Sequence, residues 1–204
     1  AKTKGGRAAL RFDLSDNWTA TAMVLRQELD TQGVWDYDAA VGDLKVARLL
    51  PESETDKFTQ ASLTLTGKLG GATLTYTGSH LDRHYLQDLD YSLYSDYYIS
   101  GSYVQAYYSC YISYFDACVD PRMPVTGNER TKRWNHEVRV ATDSDQRLRW
   151  VVGMFYEKSS WDSDLEFHIP GIASFSHFDA NGVRIDGAAV EAPDIYFTTD
   201  VQKD

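Results

Sequence analysis

The stretch Thr131–Lys158, TKRWNHEVRVATDSDQRLRWVVGMFYEK, contains two runs in which apolar and polar side chains alternate, separated by the polar corner Thr142–Gln146. Successive side chains of a β-strand point to opposite sides, so this alternation predicts an antiparallel hairpin with one apolar face. The apolar face is predicted to hold Trp134, Val138, Val140, Leu148, Trp150 and Val152. The opposite, polar face is predicted to hold Glu137, Arg139, Arg149 and Glu157. What covers the apolar face, a protein core or lipid, separates the possible functions.

The same alternation recurs on both sides of this hairpin. It predicts further strands at Gly6–Asp13, Trp18–Leu29, Lys57–Leu69 and Ala72–Ser79, with another beginning near Ile195. Short turns are predicted at Leu14–Asn17 and at Gly70–Gly71. The sequence thus predicts an all-β chain of about six strands, in which helical periodicity is hard to find.

Long stretches without alternation separate some of these strands. They run from Asp30 to Thr55, from about Asp82 to Arg130, and beyond Trp161, where Phe178–Arg184 has the composition of a small hairpin turn. Loops longer than about 12–15 residues are uncommon in compact soluble domains. Short turns at one end and long loops at the other are typical of outer-membrane barrels. We therefore predict an antiparallel transmembrane β-barrel segment with long extracellular loops, whose polar rows face a water-filled lumen.

Composition excludes some classes of protein. The chain has 204 residues, is 43% hydrophobic and carries a formal charge of -10. That charge argues against a nucleic-acid partner. No run approaches the ~18–20 apolar residues of a membrane helix, whereas a membrane strand needs only about 9–11 residues. Ala1–Gly6 lacks the apolar core of a signal peptide, so we expect a mature chain, an internal portion or a fragment.

Two motifs resemble a known family, the TonB-dependent outer-membrane receptors. Trp134–Val140 followed by Arg147–Tyr156 is similar to the family's "E-x-R … RL-x-W-x-x-G-x-F-Y" barrel hairpin, and Gly6–Phe12 with Trp18–Thr21 is similar to an earlier barrel hairpin. The resemblance spans most of residues 5 to 160. It implies a barrel of about 22 strands in the outer membrane of a Gram-negative bacterium, filled by an N-terminal plug.

The resemblance also implies a function and partners. Such a receptor imports a scarce substrate, such as a siderophore-iron complex, a vitamin or an oligosaccharide, with energy from the TonB complex. Its surroundings are outer-membrane lipid and lipopolysaccharide, and other surface-exposed proteins are further possible partners. Six strands cannot close so wide a lumen, so residues 1–204 are expected to be part of the barrel domain, with the plug and the barrel closure elsewhere. No cofactor and no enzymatic activity are expected.

The long central loop holds the candidate ligand-binding residues. Tyrosine combines an apolar ring with a hydroxyl group, which suits stacking on sugars, on catecholates or on another protein. The alternative is that these rings pack on one another to fold the loop. The loop also contains Cys110 and Cys118, which we expect to form a local disulfide rather than remain free thiols. The candidate substrate-binding residues are Tyr91, Tyr94, Tyr97, Tyr98, Tyr103, Tyr107 and Tyr108.

No catalytic arrangement and no metal site are predicted. His80 and His84 are spaced for a shared ion on a helix, but on a strand that spacing separates them by roughly 13 Å. Glu137, Arg139, Arg149 and Glu157 are expected to satisfy one another as a cross-strand charge ladder. Two rival functions stay open: a passive porin with the same barrel, and a soluble secreted β-sandwich that binds glycans through its Tyr-rich loop.

Overall fold

The computed structural model describes residues 1–33, 36–92, 122–168 and 170, together with the strand segments 177–178, 184–185 and 195–203. Within them, seven strands form one antiparallel sheet in the order β1-β2-β3-β4-β5-β6-β9, and β7 pairs separately with β8. The strands are β1 (Lys2–Ser15), β2 (Trp18–Gln32), β3 (Ser53–Lys68), β4 (Ala72–Asp90), β5 (Pro124–Thr142), β6 (Val151–His168), β7 (His177–Phe178), β8 (Arg184–Ile185) and β9 (Ile195–Lys203).

The predicted all-β, antiparallel architecture is confirmed, and so is the strand expected near Ile195. The strand lengths are corrected. β4 continues to Asp90 and β5 begins at Pro124, so both extend far into the stretch interpreted as loop. β2 and β3 likewise extend beyond their predicted bounds, and β6 reaches His168. At the extended ends of β4 and β6, apolar and polar residues are mixed on the strand faces, so the alternation disappears while the backbone pairing continues.

The β5–β6 connection is also corrected. β5 ends at Thr142 and β6 begins at Val151, so Leu148, Arg149 and Trp150 lie in the turn and not on a strand. The backbone N–H of Asp143 donates to the carbonyl of Gly71, 3.0 Å away, which ties this turn to the neighbouring β3–β4 turn. In that β3–β4 turn, Gly70 adopts a φ of 68°, a conformation that glycine accepts without strain.

The two ends of the sheet differ. At one end, here called the turn end, short connections join β1 to β2, β3 to β4 and β5 to β6. At the other, here called the loop end, residues 33–52 join β2 to β3, residues 91–123 join β4 to β5, and residues 169–194 lie between β6 and β9. This is the asymmetry that the sequence predicted.

No second layer covers the sheet in the described part of the chain. Among the described hydrophobic residues only Ala20, Met123 and Val125 are buried. Ala20 lies in β2, Val125 lies at the loop end of β5, and Met123 lies just before β5. A soluble domain of this size buries one continuous core between layers. The long strands instead leave both faces of one sheet open. No described helix is long and apolar enough to cross a membrane.

Candidate functional site

The strand register assigns each side chain to one of two faces. Val138 lies opposite Met154 on β6 and opposite Tyr76 on β4, and Tyr76 lies opposite Leu65 on β3. Leu65 lies opposite Ala20, which lies opposite Phe12. The same pairing relates Leu10, Ala22, Leu63, Gly78, His136 and Tyr156. These rows, with the adjoining rows that contain Trp134, Val140 and Val152, form the apolar face.

The large side chains of the apolar face are exposed. Relative exposure is 63% for Leu10, 52% for Phe12, 73% for Met154 and 65% for Val152. The predicted placement of Trp134, Val138, Val140 and Val152 on one face is confirmed by the register. Moving a large apolar side chain out of water is worth roughly 1.5–3 kcal/mol. Exposure of this face to water is therefore costly.

Aromatic and histidine rings form a connected patch on the apolar face. The hydroxyl group of Tyr76 lies 2.9 Å from Nδ1 of His136. The centroid of the His136 ring lies 6.4 Å from that of Tyr156, on the neighbouring strand, and 6.5 Å from that of Trp134, on the same strand. Trp134 in turn lies 4.1 Å from His80. Tyr76 therefore gives the ring nitrogen of His136 a partner on an otherwise apolar surface.

Two glycines make room for rings on this face. A Cβ atom at Gly78 would lie 2.6 Å from the hydroxyl oxygen of Tyr76, and one at Gly67 would lie 2.7 Å from the ring of Trp18. Real Cβ atoms do not approach other atoms so closely, so these positions exclude larger residues while the rings stay in place. The absent side chain at Gly78 lets Tyr76 lean across its strand towards His136.

Hydroxyl groups and charges cover the opposite face, here called the polar face. One row runs Asp13, Thr19, Thr66, Thr75 and Arg139, and the next runs Arg11, Thr21, Thr64, Thr77 and Glu137. The hydroxyl groups of Thr64 and Thr77 lie 3.3 Å apart across β3 and β4. The prediction that Glu137, Arg139 and Glu157 share a face is confirmed by the register. Val151 and Phe155 also lie on this face.

The predicted ladder among these charges is not formed. Arg133, and not Arg139, lies against Glu157, with Nε 3.7 Å from Oε1. Arg139 lies opposite Gly153, and Glu137 lies opposite Phe155. Among the described residues neither Glu137 nor Arg139 forms an ion pair. Both remain available to solvent or to a partner.

Towards the loop end the polar face carries aromatic rings and paired charges. Arg83 donates from Nε and Nη2 to the two carboxylate oxygens of Asp56, both at 2.8 Å. Trp161 donates from its ring nitrogen to Glu129, 3.3 Å away. Planar bidentate pairing fixes the guanidinium more firmly than a single contact does. This end offers rings and oriented polar groups to a solute.

A polar cluster, here called the loop clasp, consists of the buried residues Glu52, Asp90 and Ser92 and the half-buried Arg48. Asp90 accepts from the backbone N–H groups of Leu49, at 2.6 Å, and Leu50, at 3.0 Å. The backbone N–H of Asp90 donates to Glu52 at 3.1 Å. Arg48 Nε lies 3.1 Å from Glu52 Oε1, an ion pair without hydrogen-bond geometry. The clasp holds the β2–β3 loop against the end of β4.

Hydrogen bonds set the ionisation of the clasp carboxyl group. Burial raises the pKa of Asp90, but hydrogen bonds from Ser92, Leu50 and Leu49 together outweigh it and hold that pKa below its ordinary value. Ser92 also accepts from the backbone N–H of Met123, at 3.1 Å, on the far side of the central loop. The charged carboxylate therefore organises both loop stems.

Of the tyrosines predicted to bind substrate in the central loop, only Tyr91 lies within the described residues. Tyr91 packs edge-to-face on Phe167, with 5.7 Å between ring centroids. The other candidate tyrosines and both cysteines, Cys110 and Cys118, lie outside the described residues. No group of three metal-ligating side chains occurs in the parts of the chain that the structure describes. His84 contacts Asn128, with 2.7 Å between Nε2 and Oδ1.

Sequence reasoning missed the loop clasp and the charged rows beyond the apolar face. The clasp joins residues about forty positions apart, so no local pattern signals it. The charged rows did leave a signal, because Arg130-x-Lys132-x-Trp134 continues the period of two.

Comparisons with protein-family models, with curated proteins and with solved structures found no match to this chain.

Proposed function

We propose that this chain is part of the wall of a TonB-dependent receptor in the outer membrane of a Gram-negative bacterium. The observation that carries the proposal is the pair of faces on one seven-stranded sheet, one apolar and exposed, the other rich in hydroxyl groups. In a barrel the apolar face meets lipid and the polar face lines the lumen. Leu10, Phe12 and Met154 then lie in hydrocarbon.

The dimensions of the sheet support membrane insertion. The apolar rows extend along each strand from the level of Trp18 to that of Val24, about seven residues or roughly 20–25 Å. The apolar band of an outer-membrane barrel is about 25 Å tall. The strands continue beyond it at the loop end, where polar side chains occur on both faces. In the proposed orientation those ends stand outside the cell.

The sheet edges support a larger barrel. β1 is exposed along its whole length and, among the described strands, pairs with β2 alone. Each unpaired backbone group in lipid costs several kcal/mol. Further strands of the full-length protein would pair with the free edges of β1 and β9 and close the barrel. A plug would occupy part of the lumen.

Active transport, as opposed to passive flow, rests on the resemblance of the Trp134–Val140 and Arg147–Tyr156 motifs to receptor hairpins. The candidate substrates are a siderophore-iron complex, a vitamin or an oligosaccharide, bound by loops that include the Tyr-rich segment. A porin is the second candidate, since its wall has the same two faces.

The test uses cells that express the full-length protein containing this chain, with and without TonB. Membrane fractionation is followed by uptake of a labelled ferric siderophore, a labelled cobalamin and a labelled maltooligosaccharide. Outer-membrane location, with uptake of one probe that is lost without TonB, is the expected result. Uptake that is indifferent to TonB supports the porin instead. Recovery in the aqueous fraction contradicts both and favours the soluble sandwich.

A further inference from the structure

A groove of about 790 Å³, here called the clasp groove, lies at the loop end between the β2–β3 loop and the tips of β4 and β5. Small-molecule sites typically have volumes of roughly 300–1,000 Å³ and mostly apolar walls that carry a few polar groups. The clasp groove has both properties. Its apolar walls are formed by Val46, Leu50, Pro51, Leu89, Pro124 and Val125.

Two residues of the loop clasp, Arg48 and Glu52, also line this groove, and each has a buried atom without a hydrogen-bond partner in the described part of the chain. These atoms are Nε of Arg48 and Oε2 of Glu52, whose side chains are 17% and 4% exposed. The remaining groups are engaged, since Glu52 Oε1 accepts from the backbone N–H of Asp90 and Arg48 Nη2 donates to Asp36. Burial of a charged group without its hydrogen bonds destabilises a fold. One ion pair thus has an open donor and an open acceptor.

The chemistry of these two atoms selects the polar group of a ligand. A hydroxyl group both accepts and donates, so it can accept from Nε–H of Arg48 and donate to Oε2 of Glu52. An ammonium group has no lone pair to offer Arg48, and an ether has no proton to offer Glu52. A carboxylate would be repelled by the like charge of Glu52. A hydroxyl group is therefore the simplest organic group that satisfies both atoms.

We propose that the clasp groove binds a small alcohol, with its hydrocarbon body between the β2–β3 loop and the tips of β4 and β5. The hydroxyl group of the ligand lies between Arg48 and Glu52 and completes the hydrogen bonds of their ion pair. The body covers Val46 and Leu50 on one side and Leu89 on the other. The inference goes beyond the proposed function, because it concerns the base of one loop and neither the wall nor the lumen.

A single-hydroxyl ligand fits the groove better than water or a sugar does. A water molecule would satisfy the same two atoms but would leave the apolar walls in contact with water. A sugar carries hydroxyl groups around its whole ring, so several of them would lie unpaired against Leu50, Pro51 and Leu89. A hydrocarbon ring with one hydroxyl group matches both the walls and the ion pair.

The test titrates the full-length protein, labelled at its valine and leucine methyl groups, with cyclohexanol, methoxycyclohexane or cyclohexylammonium. These probes share a ring and differ in the polar group. The protein is held in phosphatidylcholine nanodiscs, or in buffer if it does not insert, so the test is separate from that of the proposed function. Methyl NMR shifts of Val46 and Leu50 report binding in the groove, and shifts of Leu63 and Val138 on the apolar face report partition of the probe. Val46→Trp fills the groove, and Val41→Trp, at an exposed position of the same loop that does not line the groove, is the matched control.

Cyclohexanol is expected to shift the Val46 and Leu50 signals to saturation. The ether and the ammonium are expected to bind roughly 10- to 100-fold more weakly, because each loses one hydrogen bond to a charged group. Val46→Trp should abolish the saturable shift of Leu50, and Val41→Trp should leave it unchanged. Equal affinity for the alcohol and the ether overturns the inference, and so does a saturable Leu50 shift that persists in Val46→Trp. Shifts confined to Leu63 and Val138, or no shift at all, would mean that the groove holds ordered water only.

Discussion

The hydroxyl oxygen of Tyr76 lies 2.9 Å from Nδ1 of His136, diagonally across the β4–β5 pair and over the bare backbone of Gly78. This contact places a satisfied polar pair in the middle of the apolar face. It shows how a surface proposed to face hydrocarbon accommodates a histidine, since the ring nitrogen has a partner within the same sheet.

Removal of the Tyr76 hydroxyl group tests this pairing. Tyr76→Phe leaves the ring nitrogen of His136 without its partner, and we expect the free energy of unfolding in detergent micelles to fall by about 1–3 kcal/mol. Tyr156→Phe removes a hydroxyl group from the same face and serves as the control, with an expected change near zero. Urea titration followed by tryptophan fluorescence measures both. Equal losses in the two variants would show that the hydrogen bond contributes nothing specific.

The space at Gly67 is required by the ring of Trp18. Gly67→Ala places a methyl group 2.7 Å from that ring, so we expect a loss of about 1–3 kcal/mol of stability. In an open strand position the same exchange stabilises, because alanine loses less backbone entropy than glycine. Gly6→Ala meets nothing within 4 Å and is the control. Thermal unfolding of both variants measures the two changes in stability. A Gly67→Ala protein as stable as the parent would contradict the close packing of the Trp18 ring on Gly67.

Acid is expected to release the loop clasp. The pKa of Asp90 is lowered in the folded protein, so its contribution to stability is fully present above the unfolded pKa of about 3.9 and is lost as pH falls through the lower folded value. Below about pH 4 the amides of Leu49 and Leu50 should lose protection against hydrogen exchange, after correction for intrinsic rates. Leu63, within the β3 ladder, should keep its protection. Asp90→Asn should abolish the pH dependence, and a persistent transition in that variant would exclude Asp90 as its origin.

The strand pattern could be predicted because the apolar rows impose a period of two on Leu63, Leu65, Val138 and Val140. The strand ends could not, since beyond Val24 or Trp134 polar and apolar residues are mixed on the faces and the period of two shows no contrast. Backbone pairing continues there without a sequence signal. Leu148 and Trp150 gave the opposite error. They continue the alternation in the sequence, so a strand was predicted there, but they lie in the turn before β6 begins.

The candidate functional residues show the same difference between what a local pattern predicts and what tertiary contacts decide. The face on which Glu137 and Glu157 lie follows from the alternation of side chains along each strand, so it could be predicted. The partner of Glu157 depends on which cation reaches it in space, and Arg133 does so where Arg139 does not. The clasp around Asp90 depends on how the β2–β3 loop folds back. Such contacts follow from tertiary structure alone.

The most direct test of the account asks what each face meets in the full-length protein. Nitroxide labels are attached at single cysteines that replace Leu63 or Val138 on the apolar face and Thr64 or Glu137 on the polar face, with Cys110 and Cys118 changed to serine. Collisions with oxygen, which concentrates in lipid, and with a water-soluble nickel chelate are measured in proteoliposomes. The account predicts high oxygen and low nickel accessibility at Leu63 and Val138, and the reverse at Thr64 and Glu137. Low accessibility to both reagents at Leu63 and Val138 would reveal a packed protein core and contradict the membrane wall.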